Sequence, residues 1–183
     1  SCYSQSFFNE DRYDIHGCCL ASVRAGNVIG GGDWAVDRLI PDMLRGFSED
    51  KVVEIRSPHA IRPWQHVLEP LSGYLTVAER LYCEGPVFAG AWNFGPRDGD
   101  TKSVQWIVQN LVTQWGGNAG WSLSDGDHLH EASYLKLDCS KAKIRLNWQP
   151  IWDLEQTLER IINWQKAWLS GNDIKQHTIL EIN

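Results

Sequence analysis

Apolar residues recur at helical spacing through Leu39, Ile40, Met43, Leu44 and Phe47, and this spacing predicts a helix over VDRLIPDMLRGF. Pro41 falls near its first turn, where the missing N–H costs little. The same period predicts helices over LEPLSGYLTVAERLY, with Pro70 in the first turn, and over TKSVQWIVQNLVTQWGG, which closes on glycine. DLEQTLERIINWQKAWLSG is expected to be the longest helix, opening on an Asp cap and stopping at Gly171. CCLASVRAG and VFAGAWNFGP are short, largely apolar runs and read as strands buried on both faces of a parallel sheet. KVVEIRSP reads as a further strand, and IRPWQHV as extended because the residue before Pro63 is biased away from helix. HEASYLKLDCSKAKIRLNWQP reads as a strand followed by a short helix capped near Asp138 or Ser140. At the start, Tyr3, Phe7 and Phe8 have helical spacing without a start signal, so the chain is expected to begin inside a helix; the last dozen residues read as a tail. Strands and helices alternate, and the predicted class is α/β.

Composition narrows the picture without choosing a function. A chain of 183 residues with 43% apolar content can bury the core of one domain, or can be a large piece of a bigger one. The net charge is -6, with acids and bases interspersed, which argues against a nucleic-acid surface. No apolar run approaches the roughly 18 residues needed to span a bilayer, and SCYSQSFFNEDRYD lacks a basic segment followed by an apolar one. The expectation is a protein that is neither secreted nor bound to a membrane. Cys2, Cys18, Cys19, Cys83 and Cys139 make an odd count with no C-x-x-C, so reduced thiols in a cytoplasmic protein fit better than disulfides or a zinc site. Ten tryptophans are read mainly as packing at polar margins, with a wall against a ring-bearing ligand as the alternative.

The chemistry concentrates in three stretches. RAGNVIGGGDW follows a predicted strand's carboxyl end, the position where open α/β sheets bind ligands. Its glycines do not have G-x-G-x-x-G spacing, and no Gly-Lys-Ser/Thr follows, so neither dinucleotide nor P-loop fingerprints apply. In IRPWQHV, Arg62 offers a rigid fork of donors suited to a diphosphate, against the alternative of a solvated arginine. Arg38 is equally ordinary until placed near the same ligand. DGDHLHEASY brings His128, His130 and Glu131 together without a closed set of four ligands, so no metal is expected. G-x-S-x-G is absent, which removes a nucleophile elbow.

Taken together, SVRAGNVIGGGDWAVDRLIPDMLRGF, IRSPHAIRPWQHVLEPLSGYL, FAGAWNFGP and HEASYLKLDCSKAKIRLNWQP resemble the C-terminal half of the extended short-chain dehydrogenase/reductases, in particular the CDP-glucose 4,6-dehydratases. The resemblance runs from about Ser1 to Gly171. It implies the last strands of a Rossmann-type sheet plus a smaller substrate-binding lobe, with residues 1–32 and 86–116 in the former and 33–85 and 117–171 mainly in the latter. Residues 172–183 are left as a tail. The activity implied is conversion of CDP-glucose to CDP-4-dehydro-6-deoxy-D-glucose: NAD takes hydride from sugar C4, water leaves from C5 and C6, and the hydride returns to C6.

The resemblance carries over a substrate side. It places Asn27 near the sugar, Arg38 facing the nucleotide, Arg62 on the diphosphate and Asn93 at the nucleotide end. His130, Glu131 and Tyr134 fall in a loop closing over the nucleotide, and the backbone of Ala25, Asn27 and Val28 passes near the nicotinamide. Trp34 and Trp64 fall as ring-contacting walls, and the glycines of RAGNVIGGGDW are expected to let the backbone approach the ligand. A homodimer is implied for the full-length protein. No catalytic residue is assigned, since position 7 is Phe where Tyr3 would need a lysine partner, and no glycine fingerprint is present. The expectation is therefore a chain inert by itself that binds CDP-glucose. Another nucleotide-sugar epimerase or dehydratase, and a non-catalytic remnant binding a nucleotide or a partner, remain the alternatives.

Overall fold

A computed structural model describes residues 2–124 and 134–182. Helix α1 (Cys2–Phe7) and a single turn, α2 (Tyr13–His16), lead into β1 (Ala21–Ala25) and β2 (Asn27–Ile29). Helix α3 (Leu39–Ser48) is followed by β3 (Val52–Ile55), β4 (Ile61–Arg62), β5 (Trp64–His66) and α4 (Leu68–Glu84). Then come β6 (Gly90–Phe94), β7 (Lys102–Ser103), α5 (Val104–Trp115), β8 (Gly120–Leu123), α6 (Ser140–Leu146), α7 (Leu154–Leu169) and α8 (Ile174–Ile182). The α/β class follows directly: β1 pairs with β6, β2 with β5 and β3 with β8, all parallel, while β4 and β7 pair antiparallel.

Two hydrophobic cores organise these elements. In one, Ile40, Met43, Leu44 and Phe47 of α3 meet Ile107, Val108 and Leu111 of α5 and Leu154, Leu158, Ile161 and Ile162 of α7. In the other, Val77 of α4 packs with Trp92 and Phe94 of β6 and Ala142 and Leu146 of α6. Both arise from helices whose apolar stripes repeat every three to four residues, as the sequence indicates. Helix ends obey local chemistry as well: Ser103 caps α5 by accepting from the Trp106 amide at 3.2 Å, and Asp153 and Gln156 form a reciprocal capping box on α7.

Polar clamps join the two cores. The Phe94 carbonyl at the end of β6 accepts from the Gly26 amide at 3.3 Å and from Gln65 Nε2 at 2.8 Å. The buried Glu69 carboxylate accepts from the amides of Ile151 and Trp152, both at 2.9 Å, fixing the start of α4 against the approach to α7. Such buried, satisfied groups hold register because leaving either partner unpaired costs about 1–3 kcal/mol.

Several details differ from the sequence expectation. Strand β1 starts three residues later than CCLASVRAG would allow, and its Ser22, Val23 and Arg24 are exposed rather than buried. Among the described residues β6 alone pairs with it, so one edge lacks a neighbour to cover it. The stretch before β6 forms a 3-10 turn over Gly85–Phe88, with Pro86 at its start, before the chain becomes extended. Helix α4, at 17 residues, is longer than α7 at 16. The final segment is helical over Ile174–Ile182, and Thr178 Oγ1 accepts from the Trp164 indole at 3.0 Å.

Candidate functional site

A cavity of about 730 Å³ opens between the β2–β5 pair, the start of α3 and the end of β3. This size lies within the range of small-molecule sites. Asn27 and Val28 reach it from β2, Arg62 from β4, Trp64 from β5 and Arg38 from the residue before α3. Asn27 and Trp64 are register partners in the parallel β2–β5 pair, so their side chains share one face. Pro63 separates Arg62 from Trp64, and the extended backbone there returns both side chains to the cavity side.

The turn between β1 and β2 makes this possible. Gly26 sits so close to Pro63 that a Cβ there would lie 2.3 Å from the Pro63 carbonyl oxygen, and the Asn27 amide donates to that carbonyl at 2.8 Å. Glycine is required for that close backbone approach, which sets where Asn27 starts. Of the glycines in this stretch Gly26 lines the cavity, while the GGG run packs against other side chains. A Cβ on Gly30 would meet Val67 at 2.9 Å, and one on Gly31 would meet the Trp164 ring at 2.3 Å, so these glycines admit other side chains rather than a ligand. Trp34 likewise packs on Trp164 and Trp168, with ring centroids 6.3 and 4.6 Å away, and stands outside the cavity wall. Trp64 is the tryptophan that lines it.

Charge in the wall is mixed. Arg38, Arg56 and Arg62 share it with Asp33, Asp37, Asp42 and Glu54. Arg62 donates to the Ile61 carbonyl at 3.0 Å, and it stands opposite Lys102 in the antiparallel β4–β7 pair. Lys102 leans over the Trp106 ring at 5.6 Å. Arg56 and the acids were not singled out from the sequence, although Arg56 follows β3's carboxyl end, the position that the strand-end rule nominates.

Ala25, Asn93 and Tyr134 do not line this cavity. Ala25 is the last residue of β1, paired with Phe94. Asn93 lies in β6, where its Nδ2 donates to the Asp138 carbonyl at 3.0 Å and its buried Oδ1 has no partner among the described residues. Tyr134 is exposed and bridges in parallel to Ile61 at the edge of β4. His128, His130 and Glu131 lie outside the described residues.

Behind the site, His66 is buried and its Nδ1 accepts from the Leu68 amide at 3.3 Å. Burial first, and the Arg160 guanidinium second, push its pKa down to about 4, so the ring is neutral at pH 7. Its ring meets Trp152 edge-on at 4.8 Å, and the Arg160 guanidinium lies over the Trp152 ring, 3.9 Å from its centroid.

Against this geometry, the chain is 61% identical over 174 residues to a CDP-glucose 4,6-dehydratase of Salmonella typhimurium, matching 95% of this chain and 48% of that protein. The resemblance to the C-terminal half of a CDP-glucose 4,6-dehydratase that the sequence carries is borne out by this match. It spans about half the length of the curated relative it matches. No family model matches. In fold it is similar to a UDP-N-acetylglucosamine 4-epimerase from Methanobrevibacter ruminantium in complex with UDP-N-acetylmuramic acid, with a TM-score of 0.72 and 16% identity over 90% of this chain and 52% of that one. A dTDP-glucose 4,6-dehydratase from Bacillus anthracis in complex with NAD gives a TM-score of 0.65 and 19% identity, covering 94% and 53% of the two chains. A UDP-glucuronic acid 4-epimerase from Bacillus cereus, in complex with UDP-glucuronic acid and NAD, gives 0.70 and 18%, covering 85% and 48%. The Rossmann-type architecture of these dehydrogenase/reductases is thus shared over about half of each structure.

Proposed function

We propose that this chain is the substrate-binding half of a CDP-glucose 4,6-dehydratase and binds the nucleotide sugar in the cavity between β2, β5 and α3. The observation that carries the proposal is the convergence of Asn27, Arg38 and Arg62 on one cavity, in a chain 61% identical to a protein of that name. Arginines offset a diphosphate's charge, and Arg38 and Arg62 both line the cavity. The Asn27 amide group has the donor and acceptor needed to orient sugar hydroxyls, and Trp64 offers a flat apolar wall. Asn93, Tyr134, His130 and Glu131 belong to the proposal as residues nearer the base.

Within the whole protein NAD supplies hydride transfer. Asn27 and Val28 fit the wall against which its nicotinamide would lie, since both border the cavity and carry no charge. The 183 residues contain no G-x-G-x-x-G and no Tyr-x-x-x-Lys, so we expect this chain by itself to bind substrate without turning it over. A cytoplasmic homodimer is the expected full-length form.

Titration calorimetry of the 183-residue chain with CDP-glucose and dTDP-glucose tests the reading. Tighter binding of CDP-glucose supports it. Tighter binding of dTDP-glucose removes the cytidine assignment, and absence of heat with both removes the cavity as a nucleotide-sugar site.

A further inference from the structure

Two of the cavity's arginines, Arg56 and Arg38, are already engaged by acids of the same wall. Arg56 Nη2 lies 3.4 Å from Asp37 Oδ1, and Arg38 Nη1 lies 3.8 Å from Asp33 Oδ2. Both pairs are long and open to water, with side-chain exposures of 62% and 83% for the first and 66% and 36% for the second. Exposed pairs of this kind are worth little, so a doubly charged ligand can replace either carboxylate at small cost. The acids are nevertheless held in place by the backbone. Asp33 uses its other oxygen to accept from the Ala35 amide at 3.0 Å. Asp37 has a left-handed backbone, with φ at 61°, a conformation that Asp and Asn tolerate better than most side chains.

We infer that Asp37 and Asp33 are placeholders for ligand phosphates: they hold Arg56 and Arg38 at the cavity rim and give them up to the diphosphate, making Arg56 a further ligand-binding cation. This inference rests on the nucleotide-diphosphate reading above. It implies that the site's affinity is set below what its arginines could deliver, because each binding event first breaks an internal pair. It also makes the acids determinants of specificity. A ligand with a single weak negative charge does not displace them, whereas a diphosphate does.

The test is a calorimetric cycle on the full chain with CDP-glucose and, separately, inorganic pyrophosphate, at one fixed ionic strength. Asp37→Asn keeps the left-handed backbone while removing the charge, and Asp37 is exposed, so folding is expected to be unaffected. The expected result is binding about two- to fivefold tighter than wild type. Arg56→Gln should bind about tenfold more weakly, and adding Asp37→Asn to Arg56→Gln should recover nothing. Unchanged or weaker binding by Asp37→Asn overturns the inference and leaves the reading of the cavity intact. Equal tightening in both backgrounds also overturns it, because the effect is then a general field and not release of Arg56. No binding of either probe by wild type overturns the reading of the cavity and this inference together.

Discussion

Arg62 illustrates how a residue gains its meaning from its neighbours. In sequence it is one arginine among seventeen basic residues; in the fold it faces a cavity beside Trp64 and stands opposite Lys102. Arg62→Ala should weaken nucleotide-diphosphate binding by roughly 2 kcal/mol, the lower end for loss of a charge paired with a bound anion; calorimetry against CDP-glucose reads this directly. His66 makes a different prediction. Its folded pKa of about 4 lies below the ordinary histidine value, so the unfolded chain binds more protons in between. Its contribution to stability is complete above about pH 6.5 and is lost as pH falls toward 4, with a slope of at most about 1.4 kcal/mol per pH unit. Thermal melts across that window should show the loss, and His66→Gln should flatten it. Asn27, Arg38 and Arg62 could be nominated from motif strings. Arg56 could not be nominated from its own short stretch, because its relation to the cavity depends on where β3 ends.

At the scale of elements, amphipathic helices were the most legible part of the chain. The stripes of α3, α5 and α7 repeat at helical spacing, and each buries those same residues. Strand burial was less legible: CCLASVRAG is as apolar as a buried strand, yet exposure depends on what pairs with it, which is non-local. Helix α8 escaped notice because its apolar residues do not gather on one side. The GGG loop is legible as a special backbone, but the helix that Gly31 makes room for, α7, lies more than a hundred residues away along the chain. Gly31→Ala should place a methyl group in the Trp164 ring position and cost about 1–3 kcal/mol through overpacking. A fall in melting temperature with a changed near-ultraviolet tryptophan signal would establish it; an unchanged signal would return the loop to a ligand role.

For the whole molecule, the edge of β1 is the feature with the largest consequence. Val23 is 36% exposed on a strand that pairs among the described residues with β6 alone. An open parallel strand edge templates association, so the 183-residue chain is expected to self-associate with rising concentration, and Val23→Lys to reduce that. Sedimentation velocity over a concentration series measures both; a wild-type chain that stays monomeric throughout contradicts the prediction. The sequence by itself determined the α/β class, the helices with strong apolar stripes and the strings that nominate Asn27, Arg38 and Arg62, because helical period and motif spacing are local properties. Tertiary structure alone decided that Gly26 abuts Pro63, that Gly31 makes room for Trp164, and that Arg56, Asp33 and Asp37 share a wall with the nominated residues. Those relations join segments distant along the chain through packing, and packing distance is not encoded in the spacing of residues within any one segment.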